Sequence, residues 1–85
     1  MSTWYCRICG LDYDTSPWGP DERTPDYTIC DCCGVSFGYE DYTPAAARQF
    51  RVEWLRRGAP WFCPRQRPAD WDLAGQLAQV PPAYQ

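Results

Sequence analysis

The chain contains no histidine, no lysine and no asparagine. Without histidine the usual general base is missing, and with it every catalytic triad built around an imidazole. Long apolar runs are also absent, which excludes a membrane-spanning helix. The opening residues, Met1-Ser2-Thr3-Trp4-Tyr5-Cys6, offer neither a basic n-region nor an apolar h-region, so no secretory signal is expected. A reducing, cytoplasmic setting is therefore the expected one, and there paired cysteines mean metal more often than disulfide.

What the sequence does hold is concentrated in a few residue types. Its 85 residues make one domain, with no room for a second core. Apolar residues are 45% and charged residues 22%, so the composition is not that of a disordered chain. Five Trp, six Tyr and three Phe bring the aromatic share to 16%. Six Cys in 85 residues falls just under the roughly 8–10% typical of disulfide scaffolds.

Charge is unevenly placed. Residues 1–43 carry two Arg and eight acids and sum to −6, whereas residues 44–85 carry six Arg and three acids and sum to +3. Four thiolates on one divalent ion would take the net charge from −3 to about −5. An acidic molecule is repelled by phosphate backbones, so general nucleic-acid binding is disfavoured, while an acidic surface suits a basic protein partner.

The strongest signal is a pair of short runs, Cys6-Arg7-Ile8-Cys9-Gly10 and Cys30-Asp31-Cys32-Cys33-Gly34. Both read C-x-x-C-G, and 20 residues lie between Cys9 and Cys30. Two thiolates three apart in a tight turn can point at one ion, while the N–H groups between them stabilise their charge. The following Gly allows the positive φ that closes the turn. Two such knuckles facing each other complete a tetrahedron of sulfur, and the spacing fits that template. Cys6, Cys9, Cys30 and Cys33 are the expected metal ligands. Cys32 lies inside the second knuckle and is an alternative to Cys33, which the C-x-x-C-G match favours. Cys63, in Trp61-Phe62-Cys63-Pro64, is expected to be a buried structural thiol. Zinc and iron both accept four sulfurs, so ligand type leaves the metal open.

Around the knuckles, Thr3–Cys6 and Leu11–Tyr13 should form one hairpin, with Tyr27–Cys30 and Val35–Tyr39 forming another. Residues 14–26, with three Pro and one Gly, read as a loop. Thr43-Pro44 reads as the N-cap and first position of a helix over Pro44–Arg57, ended by Gly58. Ala47, Phe50 and Trp54 recur at helical spacing, with Val52 and Leu55 widening the stripe. Its arginines read as a solvated face, and Glu40-Asp41 as solvated loop charge. Asp70 is placed to cap a second, shorter helix reaching Val80, with Leu73, Leu77 and Val80 on one face and Gly75 weakening it. The last residues read as a frayed tail. The expected fold is a small α+β, metal-bound domain: a ribbon of two knuckle hairpins over residues 1–42, then two C-terminal helices over 43–80 packed on it.

The run Tyr5-Cys6-Arg7-Ile8-Cys9-Gly10-Leu11-Asp12-Tyr13-Asp14 resembles the first knuckle of rubredoxins, and residues 26–34 resemble their second. This implies a rubredoxin-like ribbon, with a shorter gap between knuckles and an added helical extension. A second resemblance covers more of the chain. Tyr27 to Asp41 and Glu53-Trp54-Leu55-Arg56-Arg57-Gly58-Ala59-Pro60-Trp61-Phe62, with Trp71-Asp72 beyond, look like the cysteine-rich CPCC type of small bacterial zinc-ribbon protein. Such proteins are often encoded near polymorphic toxin genes, which implies an immunity protein whose partner is a cognate toxin.

The residues offer a physical basis for such binding. Asp14, Trp18, Asp21, Glu22 and Asp26 lie in an acidic, aromatic loop held at both ends by one ion, which lowers the ordering cost of contact. Trp and Tyr are frequent interface anchors, and carboxylates suit a basic cleft. The expected function is a non-catalytic, zinc-bound protein-binding module. The alternative is an iron electron carrier using the same four sulfurs.

Overall fold

A computed structural model of the chain describes residues 3–19, 25 and 28–85. The first hairpin pairs β1 (Trp4–Tyr5) with β2 (Asp12–Tyr13), antiparallel, with Trp4 opposite Tyr13 and Tyr5 opposite Asp12. Both strands are shorter than expected because the knuckle between them takes up the pairing groups of Cys6 and Leu11. In the second hairpin the described residues form one antiparallel bridge, Ile29 to Ser36, and Tyr27 lies outside them. The expected strand Val35–Tyr39 does not form. The chain turns at Gly38, whose φ is +85°, and the Asp41 carboxylate accepts the Gly38 N–H at 2.7 Å.

Thr43 starts α1 (Pro44–Arg56) from an extended backbone, its hydroxyl accepting the Ala46 N–H at 3.1 Å. Pro44 fills the first helical position, where no N–H is required. The helix closes in a Schellman motif. Ala59 N–H reaches the Trp54 carbonyl at 2.9 Å and Gly58 N–H the Leu55 carbonyl at 3.0 Å, with Gly58 at φ +91°. Ala47 and Trp54 are buried and Phe50 packs beside them, but Val52 and Leu55 face out, at 54% and 38% exposure. The helix therefore seats on a narrow seam. Trp54 is its anchor, fully buried with its indole N–H on the Pro60 carbonyl at 2.8 Å.

The chain then runs extended along the second knuckle. Phe62 N–H donates to the Cys32 carbonyl and Cys63 N–H to the Asp31 carbonyl, at 2.9 and 2.8 Å. A short 3-10 turn, Pro64–Gln66, leads to α2 (Leu73–Leu77). Here Asp72, not Asp70, holds the N-cap position, and its carboxylate would crowd any side chain at Gly75. The helix stops at Leu77, short of Val80, although Val80 is buried and Leu73 and Leu77 pack on the core. The expected frayed tail is instead docked. Pro82–Tyr84 forms a 3-10 turn against α1, Arg48 Nε donates to the Gln85 main-chain oxygen at 2.7 Å, and Arg51 holds the Tyr84 carbonyl. No helix among the described residues is long and apolar enough to cross a membrane.

The core is one cluster that joins the buried cysteines, Ile8 and Val35 to Trp18 and Phe37. Within it Tyr13 and Trp18 each meet the Phe37 ring edge-on, at 5.3 and 5.6 Å. Two glycines test how tightly the helical half sits on the knuckles. A Cβ on Gly10 would collide with the Gln76 carbonyl oxygen, whereas one on Gly58 meets nothing within 4 Å. Both glycines have positive φ. Gly58→Ala should cost about 1–2 kcal/mol of backbone strain alone. Gly10→Ala should cost a further 1–3 kcal/mol, roughly, from overpacking. Urea unfolding of the metal-loaded protein measures both; equal costs would mean α2 does not press on the first knuckle.

Candidate metal centre

The two C-x-x-C-G runs adopt the same hydrogen-bonded turn. In the first, Cys6 N–H donates to the Leu11 carbonyl at 2.9 Å and Gly10 N–H to the Cys6 carbonyl at 3.0 Å. In the second, Cys30 N–H reaches Val35 at 2.9 Å and Gly34 N–H reaches Cys30 at 3.0 Å. Gly10 and Gly34 have φ of +82° and +81°, the left-handed conformation that lets each chain leave its knuckle. Ile8 N–H points inward at the Cys6 sulfur, 3.5 Å away.

These turns bring the sulfurs of Cys6, Cys9, Cys30 and Cys33 within 4.8 Å of one another. The cross-knuckle pairs Cys6–Cys33 and Cys9–Cys30 are each 3.7 Å apart. Four sulfurs at about 2.3 Å from a central zinc lie about 3.8 Å from one another in a tetrahedron. A disulfide needs about 2.05 Å, and all six cysteines are free thiols. Cys6, Cys9 and Cys30 are fully buried and Cys33 is 4% exposed, so the site is closed.

Electrostatics points the same way. Sulfurs this close cannot all ionise without a cation. The Cys30 thiol is held far below its ordinary range by S–H donation from Cys33, Cys6 and Cys9. Cys9 is pushed far up, chiefly by the neighbouring Cys30, and Cys33 far up, chiefly by burial. The Tyr13 phenol beside them is also raised, by burial and then by the Cys30 charge. A divalent ion removes this conflict, because each thiolate then faces positive charge. The four cysteines thus form a site that fits a metal ion.

Cys32 is outside the ligand set although its side chain is fully buried. Its sulfur accepts the Gln76 side-chain N–H at 3.3 Å, and the same Nε2 reaches the Cys9 carbonyl at 3.2 Å. Gln76 therefore ties α2 to both knuckles, and its Oε1 is fixed by the Trp71 indole N–H at 2.9 Å. Cys63 is half-buried rather than buried, because its neighbours 64–70 are all exposed.

The expected contact residues separate. Asp14 is exposed. Trp18 is not a surface anchor: it is 3% exposed, lies against Phe37, and donates its indole N–H to the Asp41 carboxylate at 2.8 Å. Asp21, Glu22 and Asp26 lie outside the described residues. Asp41 itself is fully buried, not solvated. Its two oxygens take the Trp18 and Gly38 N–H groups and so pin the loop after the first hairpin to the turn before α1. Arg7 stacks between Trp18 and Tyr84, its guanidinium carbon 4.1 and 4.5 Å from the two ring centres. Nor is α1's arginine row wholly solvated, since Arg51 is half-buried and bonded to the first knuckle.

Gln76 and Arg51 had a signal in the sequence. Each occupies an apolar face, Arg51 between Ala47 and Trp54 and Gln76 between Leu73 and Val80. Asp41 had none, because its partner Trp18 is 23 residues away.

In comparisons with known proteins, no family profile matches this chain. No solved structure matches it either.

Metal removal should unfold the knuckles, since a structural zinc contributes on the order of 10 kcal/mol to small modules. Circular dichroism after chelation should show loss of fold, and Cys6→Ser should reproduce it. Asp41→Ala leaves the buried Trp18 indole N–H and the half-buried Gly38 N–H without their acceptor and should cost about 1–3 kcal/mol or more. A chelated chain with an unchanged unfolding midpoint would contradict the first expectation, and a neutral Asp41→Ala the second.

Proposed function

We propose that the chain is a zinc-stapled, rubredoxin-like ribbon acting as a non-catalytic protein-binding module, an immunity protein that neutralises a bacterial toxin by direct contact. The observation carrying the non-catalytic part is closure of the sulfur site. A catalytic zinc keeps one ligand position open to water, whereas four converging cysteines, none more than 4% exposed, leave no such position. An ion there supplies rigidity. The toxin-binding part is supported by the resemblance of residues 27–41 and 53–62 to the CPCC type and by the character of the surface. Tyr39 and Tyr42 are 74% and 76% exposed, and Asp12 and Asp14 are exposed near the first hairpin. Exposed aromatics and acids suit a basic protein cleft. With Trp18 buried, Tyr39 and Tyr42 take its place as candidate anchors.

The iron electron carrier is the second reading. It is favoured by the matched hydrogen bonding of the two knuckles and by the N–H aimed at Cys6. It requires a red protein that bleaches reversibly on reduction.

Protein purified from iron-replete cells should be colourless, with one zinc per chain by native mass spectrometry. Calorimetric titration against the product of the neighbouring gene should show direct binding, and co-expression should suppress that product's toxicity. Tyr39→Ala and Tyr42→Ala should each weaken binding by about tenfold or more. Absence of binding together with undiminished toxicity would remove the immunity reading; a red, redox-active protein would favour the carrier.

A further inference from the structure

Arg51 stands out because three things about its position are unfavourable for a cation. It is half-buried on the seam of α1. It lies one turn from Arg48, a like charge three residues away, which costs a helix stability. Among the described residues it makes no ion pair, the exposed Arg56–Glu53 pair being elsewhere on the helix. All its described hydrogen bonds go to neutral carbonyls: Nε to Ile8 at 2.7 Å, and Nη2 to Arg7 at 2.9 Å and to Tyr84. An arginine so placed calls for an anion close by. Four thiolates on a divalent ion leave two negative charges, and the first knuckle is where Arg51 is bonded.

The contact with Arg7 has a particular consequence. The Arg7 carbonyl and the Ile8 N–H belong to one peptide unit. Arg51 donates to its oxygen, and its N–H donates to the Cys6 sulfur at 3.5 Å. Hydrogen bonds in series polarise one another, so a guanidinium on the carbonyl strengthens the N–H as a donor to the thiolate. Outer partners that orient ligands in this way tune both metal affinity and ligand electronics.

We propose that Arg51 is the counter-charge of the tetrathiolate site and acts on Cys6 through the Arg7–Ile8 peptide. It is a positioning residue for the ion, and the inference rests on the metal reading above. The experiment compares wild type, Arg51→Gln, Arg51→Lys and, as control, Arg48→Gln, whose exposed side chain among the described residues holds the Gln85 main-chain oxygen and no knuckle group.

Zinc affinity is measured by competition with a chromophoric chelator, and cobalt(II) is the spectroscopic probe. Arg51→Gln should lose about 10–100-fold in zinc affinity. Its sulfur-to-cobalt charge-transfer band should move to lower energy, because the Cys6 thiolate loses part of its stabilisation. Arg51→Lys should recover most of both, and Arg48→Gln should match wild type. Wild-type affinity and an unmoved band in Arg51→Gln would overturn the proposal, as would an Arg51→Lys as weak as Arg51→Gln. Should Arg51→Gln not fold, the wild-type cadmium-113 form carries the test. Scalar coupling from cadmium to the Ile8 amide proton is expected, and its absence would overturn the relay. A wild type that binds no metal would instead sink the metal reading itself.

Discussion

The fold depends on four sulfurs from two distant turns meeting at one point. Almost everything near that point is secured by it or secures it. Among the described residues the strands are two residues long and the second hairpin is a single bridge, too little pairing to stand in water unaided. An ion held between the turns would replace the missing sheet. It would also fit the composition: a chain this small has a thin core, and metal ligation is one of the few devices that offsets this.

The C-terminal half adds a second kind of support. It brings hydrogen-bond partners to knuckle groups outside the four-sulfur cluster. Gln76 binds the Cys9 carbonyl and the Cys32 sulfur, Gln79 the Gly10 carbonyl at 2.8 Å, and Arg51 the Arg7 and Ile8 carbonyls. The extended run at Phe62 and Cys63 takes the Cys32 and Asp31 carbonyls. A buried polar group without a partner costs free energy, so each of these contacts makes burial of the knuckles affordable. The helical residues thus do more than cover apolar surface: they complete the hydrogen bonding of the turns that hold the ligands.

This division explains what could be read from the residues. The knuckles were legible because ligand geometry is local: C-x-x-C-G encodes the turn, its positive φ and the direction of both thiols within five positions. Both ends of α1 were legible for the same reason, Thr43-Pro44 at the start and Gly58 just beyond the end. Errors came where a distant partner decides. Val52 and Leu55 look like a widened stripe, but the packed seam runs through Ala47, Arg51 and Trp54, so apolar character alone misplaced the face. Trp18 reads as an exposed anchor until Asp41, itself read as solvated, is found to hold it inside. The second helix starts at Asp72 rather than Asp70, and Gly75 leaves room for the Asp72 carboxylate, a fit no periodicity announces. The tail is held by Arg48 and Arg51, whose role needed the geometry of α1.

The proposed binding role draws on a closed sulfur centre and on the exposed Tyr39, Tyr42, Asp12 and Asp14. Rigidity lowers the ordering cost of binding, and exposed aromatics give contact area at small entropic loss. Its foundation is the coordination itself. X-ray absorption at the edge of the bound metal tests that most directly. One shell of four sulfurs at about 2.3 Å, with no light-atom ligand, is the predicted result for zinc. A mixed sulfur and oxygen or nitrogen shell, or a folded protein whose knuckle cysteines are paired as disulfides, would contradict it.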